Sequence, residues 1–226
     1  MALAPTSPVD NLARPFDPPL GSLAAAAVGL FVAGLVVSTV RAGGDPFPSP
    51  FTDAGDALAY FRDQSAAVRT GAILQYASAI PLAVFVAAAV TRLRRYADGF
   101  GASLAAVGGA LAVAFLLCSG VVSWVLTVPE VTADPGVVRA LHTLAFLLGG
   151  PANVMTSGLL VAGIALAAQS GKLLGPWAIR IGFGIAGLAL LTTVALTFTA
   201  AAVVLPIARF TGMTWLVVAA FRMPRS

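Results

Sequence analysis

No aspartate or glutamate occurs in the five long apolar runs of this chain, residues 20–40, 70–91, 103–128, 140–168 and 178–205. Carboxylates buried in lipid carry most proton- and cation-coupled membrane chemistry. Their absence argues against coupled transport and against an intramembrane aspartyl protease, which needs two buried acids. Histidine and cysteine occur once each, as His142 and Cys118. A single cysteine excludes an intrachain disulfide, and no Cys-x-x-Cys-His run is present to attach haem. One histidine and one cysteine on different runs fall short of the three or four ligands of a tetrahedral zinc site. His-Glu-x-x-His is absent as well. Ser119-Gly120 and Ser157-Gly158 lie outside a Gly-x-Ser-Gly frame. His142 and Ser157 are also about 22 Å apart by helical rise, too far to act as base and nucleophile. No catalytic residue, no cofactor and no metal is therefore expected, and the chain does not read as an enzyme.

What the chain has in quantity is apolar length. It is 59% hydrophobic and 10% charged, where soluble domains carry about 25% charge. A hydrocarbon core of about 30 Å takes roughly 20 helical residues to cross, and each run meets that length. Lipid admits only helices or closed barrels, because backbone groups find no water there. The short alternating segments of a barrel are missing. The expectation is an all-α, polytopic transmembrane helical bundle. Gly182, Gly184 and Gly187 fit dinucleotide-loop spacing, but no strand precedes them. They read instead as close-packing points between helices, as do Gly158 and Gly163.

The net charge is +4, with the basic residues at run ends rather than in one patch. That suits membrane anchoring and not nucleic acid. Arg92, Arg94 and Arg95 fill the second gap and Lys172 the fourth, with Arg180 just beyond; Arg222 and Arg225 end the chain. The first gap carries Asp45, Asp53, Asp56 and Asp63, and the third Glu130 and Asp134. Short basic loops mark the cytoplasmic side, which places the N- and C-termini in the cytoplasm; arginine outnumbers lysine twelve to one, a bias typical of GC-rich bacterial genomes, and the expected setting is a bacterial inner membrane. That threading needs six spans, with a break at Pro206 or Thr211-Gly212 and a last helix over about residues 207–223. Five spans are the alternative. Residues 1–19 then form a proline-rich cytoplasmic tail, 20–223 one transmembrane domain, and 224–226 a second tail. The outer segment 42–69 holds an extended linker and a short helix lying on the outer surface, capped by Thr52 or Asp53.

Polar residues in the spans gather toward the outer side. Gln75, Ser78, Ser123, Trp124, His142, Asn153, Thr197 and Trp215 are candidates for a polar pocket opening outward, or for a hydrogen-bonded packing network. Asn153 follows Gly149-Gly150-Pro151, where proline removes a backbone donor and frees a carbonyl that Asn153 can take up. His142, with its ordinary pKa near 6.5, is either a sensor of outer pH or a satisfied interface residue. Arg69, Arg139 and Arg209 recur every 70 residues, each at the outer start of an inward-running helix. They mark either a parallel repeat or ordinary span-end anchors.

The stretches Leu141-His142-Thr143-Leu144-Ala145-Phe146-Leu147-Leu148-Gly149, Leu174-Gly175-Pro176-Trp177-Ala178-Ile179-Arg180 and Leu205-Pro206-Ile207-Ala208-Arg209-Phe210-Thr211-Gly212-Met213-Thr214-Trp215 carry a resemblance. With the charged outer loop and basic inner loop, the chain resembles a family of bacterial six-helix integral membrane proteins, a domain of unknown function. The resemblance implies a six-helix fold and brings no activity or site. The functional expectation is an accessory, binding or structural membrane protein. The alternatives are a small uncoupled facilitator for a neutral or anionic solute and a subunit of a larger complex. Expected partners are membrane lipids, a second copy, or another membrane protein, toward which Ala25, Gly29 and Ala33 present a small-residue face.

Overall fold

A computed structural model describes residues 18–51, 53–97, 99–196 and 203–224. Most of the proline-rich tail, Thr52, Thr197 and Arg225 lie outside the described residues. The architecture is all-α, with no strand among the described residues. In chain order the helices are α1 (Leu20–Arg41), α2 (Ala54–Asp63), α3 (Ser65–Tyr96), α4 (Phe100–Val125), α5 (Pro129–Thr132), α6 (Pro135–Leu147), α7 (Asn153–Ser170), α8 (Pro176–Leu191) and α9 (Val204–Arg222). A π-helical turn, Leu148–Ala152, joins α6 to α7, and a short 3₁₀ segment, Thr192–Leu196, follows α8.

Six helical segments are long and apolar enough to cross a membrane: α1, α3, α4, the joined α6–α7, α8 with its extension to Val194, and α9. This is a multi-pass membrane protein of six spans, and the five-span alternative falls. The last break lies upstream of Val204, not at Pro206 or Thr211-Gly212. Pro206 sits in the first turn of α9, where a missing N–H costs nothing because that N–H has no intrahelical partner.

Helix starts follow local chemistry. Asp53 caps α2 by accepting from the Gly55 N–H at 2.7 Å. Asp134 caps α6 through the Gly136 and Val137 N–H groups, with Pro135 as the first helical residue, a position that tolerates proline. The outer segment departs from expectation in one respect. Helix α2 is present, but it does not lie free on a surface. Phe61 is fully buried, packed with Ala57, Val68, Leu126 and Val138 against the start of α6. Residues 65–69 already belong to α3.

The six spans form a closed ring in the order α1, α3, α4, α7, α8, α9 and back to α1. The two ends of the ring differ in charge and in packing. The basic end gathers Arg92, Arg94, Arg95, Lys172 and Arg222. There Leu20, Phe85, Leu93, Ala105, Ile164, Trp215 and Met223 share one large core cluster. Gly21 packs directly on Phe221, and buried Arg92 donates to the Pro18 carbonyl at 3.1 Å, so the start of α1 meets the end of α9. Contact between α4 and α7 is made backbone to backbone. A Cβ at Gly163 would lie 2.3 Å from the Ala105 nitrogen, and one at Gly108 2.5 Å from the Leu160 nitrogen. Close approach of this kind maximises dispersion where no hydrophobic drive between helices exists. Gly158 and Gly182 are packing points of another kind, against the Ala189 side chain and the Trp215 ring, but Gly184 and Gly187 meet nothing within 4 Å and are not packing points. Ala25 and Gly29 are exposed on α1. The acidic end, formed by residues 42–64 and 126–134, is not packed through, and a cavity opens there.

Candidate functional site

The interruption between α6 and α7 shapes the cavity. Pro151 lacks an N–H, and the chain passes through a π turn with Gly150 at φ −89°, ψ −105°. Interruptions of this type leave carbonyls to be satisfied from elsewhere. Ser119 of α4 donates to the Ala145 carbonyl at 3.0 Å. Arg209 of α9 donates through Nη2 to the Gly149 carbonyl. A Cβ at Gly149 would lie 2.4 Å from Ser119 Oγ, so a larger residue here would displace the hydroxyl that bonds Ala145. Asn153 does not take up a freed carbonyl. Its Nδ2 donates to Ala112 O on α4 at 2.8 Å, because the helix resumes at Asn153 with its side chain turned toward α4.

Above this turn, toward the acidic end, lies a cavity of about 430 Å³, within the range of small-molecule sites. Its walls include Phe31 and Ser38 of α1, Gln75 of α3, Ser119 and Ser123 of α4, Phe146, Gly149 and Gly150 of the interrupted helix, and Arg209 and Phe210 of α9. Phe47, Ser49, Phe51 and Tyr60 close over it from the outer segment. A second space of about 50 Å³ continues toward the basic end, lined by Ser78, Leu82, Leu116, Asn153, Val161 and Leu216. Phe31 and Arg209 border both.

The candidate residues divide accordingly. Gln75 and Ser123 line the larger cavity, and neither side chain has a protein hydrogen-bond partner among the described residues. Ser78 and Asn153 line the smaller one, with Ser78 Oγ donating to Gln75 O at 2.6 Å. Trp124, His142 and Trp215 do not border either space. Trp124 lies 45% exposed on the outside of α4 beside the Arg69 guanidinium. Trp215 is buried at the basic end and donates to Ala178 O at 2.8 Å. Thr197 lies outside the described residues.

His142 is a structural contact with the outer segment. Its Nε2 donates to Pro48 O at 2.9 Å, and its ring meets Phe47 and Phe61 edge to face at 5.6 and 5.1 Å. The linker before α2 is thus held down over the cavity mouth by an aromatic cluster that includes Tyr60. This seat was hidden in the sequence, though four aromatics between residues 47 and 61 signal a segment with something to bury.

The three evenly spaced arginines meet three fates. Arg69 is exposed and donates to Thr127 Oγ1 at 3.3 Å. Arg139 is exposed on α6. Arg209 is no surface anchor. It turns into the ring, its guanidinium carbon 5.4 Å from the Phe31 ring centre, with Nε buried and without a partner. The cavity therefore presents a guanidinium, an amide and several hydroxyls against aromatic walls, and no carboxylate among the described residues that line it. Among the described residues no three His, Cys, Asp or Glu side chains converge on a point that would hold a metal. No protein-family model, curated protein or solved structure matches this chain.

Proposed function

We propose that this is a non-catalytic binding protein of the bacterial inner membrane, with its cavity facing outward and both termini in the cytoplasm. The observation that carries the reading is the cavity of about 430 Å³ with Gln75 and Ser123 left without a side-chain hydrogen-bond partner among the described residues. A bundle held together only by interhelical hydrogen bonds would have used those groups. The basic residues at the opposite end support the orientation, and the resemblance to bacterial six-helix membrane proteins supports the setting. The test is cysteine accessibility. With Cys118→Ser as background, Gln75→Cys is treated in intact cells with a small membrane-impermeant thiosulfonate. Modification from outside is expected. Modification only after the inner face is exposed would reverse the orientation, and none even in detergent would remove the open cavity.

A facilitator is the second reading. It is favoured by the smaller space that continues past Phe31 and Arg209 toward the basic end. Solute uptake into liposomes holding the purified protein distinguishes the two, since a binding protein gives none.

A further inference from the structure

We infer that the cavity receives a small anion with an apolar body, a carboxylate or phosphate monoester whose charged head meets Arg209. The inference deepens the outward-cavity reading and rests on it. A guanidinium carries five N–H donors and is always charged. In this site one donor group goes to the Gly149 carbonyl, and Nε is buried with no acceptor. All nine acids of the chain lie outside the six spans, so no side chain in the membrane neutralises the charge. A buried cation without a counter-charge is strongly destabilising, and the Gly149 carbonyl and the Phe31 ring offset it only in part, since neither carries a negative charge. Across the space, Gln75 and Ser123 offer a further amide and hydroxyl to the same head.

The rest of the lining selects the body. Phe51, Phe146 and Phe210 border the same cavity and give it a largely apolar wall beyond the polar floor, interrupted by Ser38, Ser49 and Tyr60. Asp45 and its acidic neighbours stand at that end of the bundle and disfavour a bare inorganic anion arriving from water. An apolar body offsets that repulsion through burial. Charge and shape together point to a small acidic amphiphile rather than free phosphate.

The experiment is titration of the purified full chain in nanodiscs of neutral phosphatidylcholine with octanoate, octan-1-ol and inorganic phosphate. Octanoate is expected to bind about 10- to 100-fold more tightly than octan-1-ol, the difference one charge-assisted hydrogen-bonded contact makes. Arg209→Gln is expected to erase that preference, and Arg209→Lys to keep part of it. Gln75→Leu leaves Arg209 in place and is expected to weaken octanoate about 3- to 10-fold, which guards against misfolding of the Arg209 variants. Equal binding of octanoate and octan-1-ol to the unaltered protein overturns the anion class and leaves the cavity standing. Inorganic phosphate binding as tightly as octanoate overturns the apolar body. An octanoate affinity unchanged in folded Arg209→Gln and in Gln75→Leu overturns the site. Failure of the Gln75→Cys modification instead removes the cavity reading itself.

Discussion

Gly163→Ala offers the sharpest test of how this bundle is held together. The added methyl would meet the α4 backbone at two points, 2.3 Å from the Ala105 nitrogen and 2.7 Å from the Gly101 carbonyl oxygen. Backbone cannot swing aside as a side chain does. To restore an ordinary contact, α4 and α7 must part by about 1 Å, and a gap of that size forfeits a quarter to a half of each dispersion contact along the seam. Overpacking costs about 1–3 kcal/mol in general, and a clash with helix backbone belongs at the top of that range. At about 2–4 °C per kcal/mol for a chain of this size, a melting temperature lowered by roughly 6–12 °C is expected. The assay is thermal unfolding in mild detergent, followed by size-exclusion chromatography. Gly29→Ala is the control, because a Cβ there meets nothing within 4 Å. Alanine in place of glycine on an open helix face stabilises by about 0.4–1 kcal/mol. If both variants melt alike, close backbone packing of α4 on α7 does not support the fold, and the solidity of the basic end has some other cause.

Three further outcomes are expected. His142→Ala removes the bond to Pro48 and two ring contacts, together about 1–3 kcal/mol; amide exchange over residues 45–51 should accelerate by about 10- to 100-fold while the spans stay protected. Asn153→Leu gives up the bond to Ala112 and should lower stability by about 0.6–2 kcal/mol, read by denaturant titration in detergent; no change would mean the amide bond is not holding α7 to α4. Tyr60 lies outside the spans, and burial, helped by the charge of Asp45, raises its phenol above the ordinary value of 10.0. Its neutral form therefore favours the seated loop. That contribution is complete below the ordinary value and is lost as pH rises through the raised one. Loop exchange should accelerate in that alkaline window, and Tyr60→Phe should abolish the pH dependence.

Several features were legible residue by residue. Ser123, a candidate from its place in an apolar run, does face inward on α4 and is buried with Ser119 one turn before it. Pro151 announced an irregular helix, and the π turn is there. Asp53 as a cap was readable from side-chain chemistry alone. The cavity was only half legible. Gln75 and Ser123 line it, but Trp124, on the same helix as Ser123 and one residue on, points to the outside, as a helical step of about 100° dictates. Trp215 looked polar enough to belong, yet the closely packed basic end holds it far from the cavity against Gly182.

From the amino-acid sequence alone it follows that this protein crosses a membrane repeatedly as helices, with its acids kept out of the spans; the count of six needed the structure, which separates the last two. Hydrocarbon thickness and the absence of water there impose helical crossings on any chain with these runs, whatever the helices pack against. What the polar residues do depends on how the helices assemble. Arg69, Arg139 and Arg209 occupy equivalent places near the starts of three helices, and nothing in their spacing tells them apart. Arg209 alone is drawn inside, because α9 closes the ring between α8 and α1 and turns that face toward the freed Gly149 carbonyl. Glycine and alanine contacts between distant segments close one end of the ring, while the interrupted α6–α7 helix and the aromatic outer segment border the space left open at the other. Such contacts depend on which helix faces meet, and that is a property of the assembled bundle rather than of any one run.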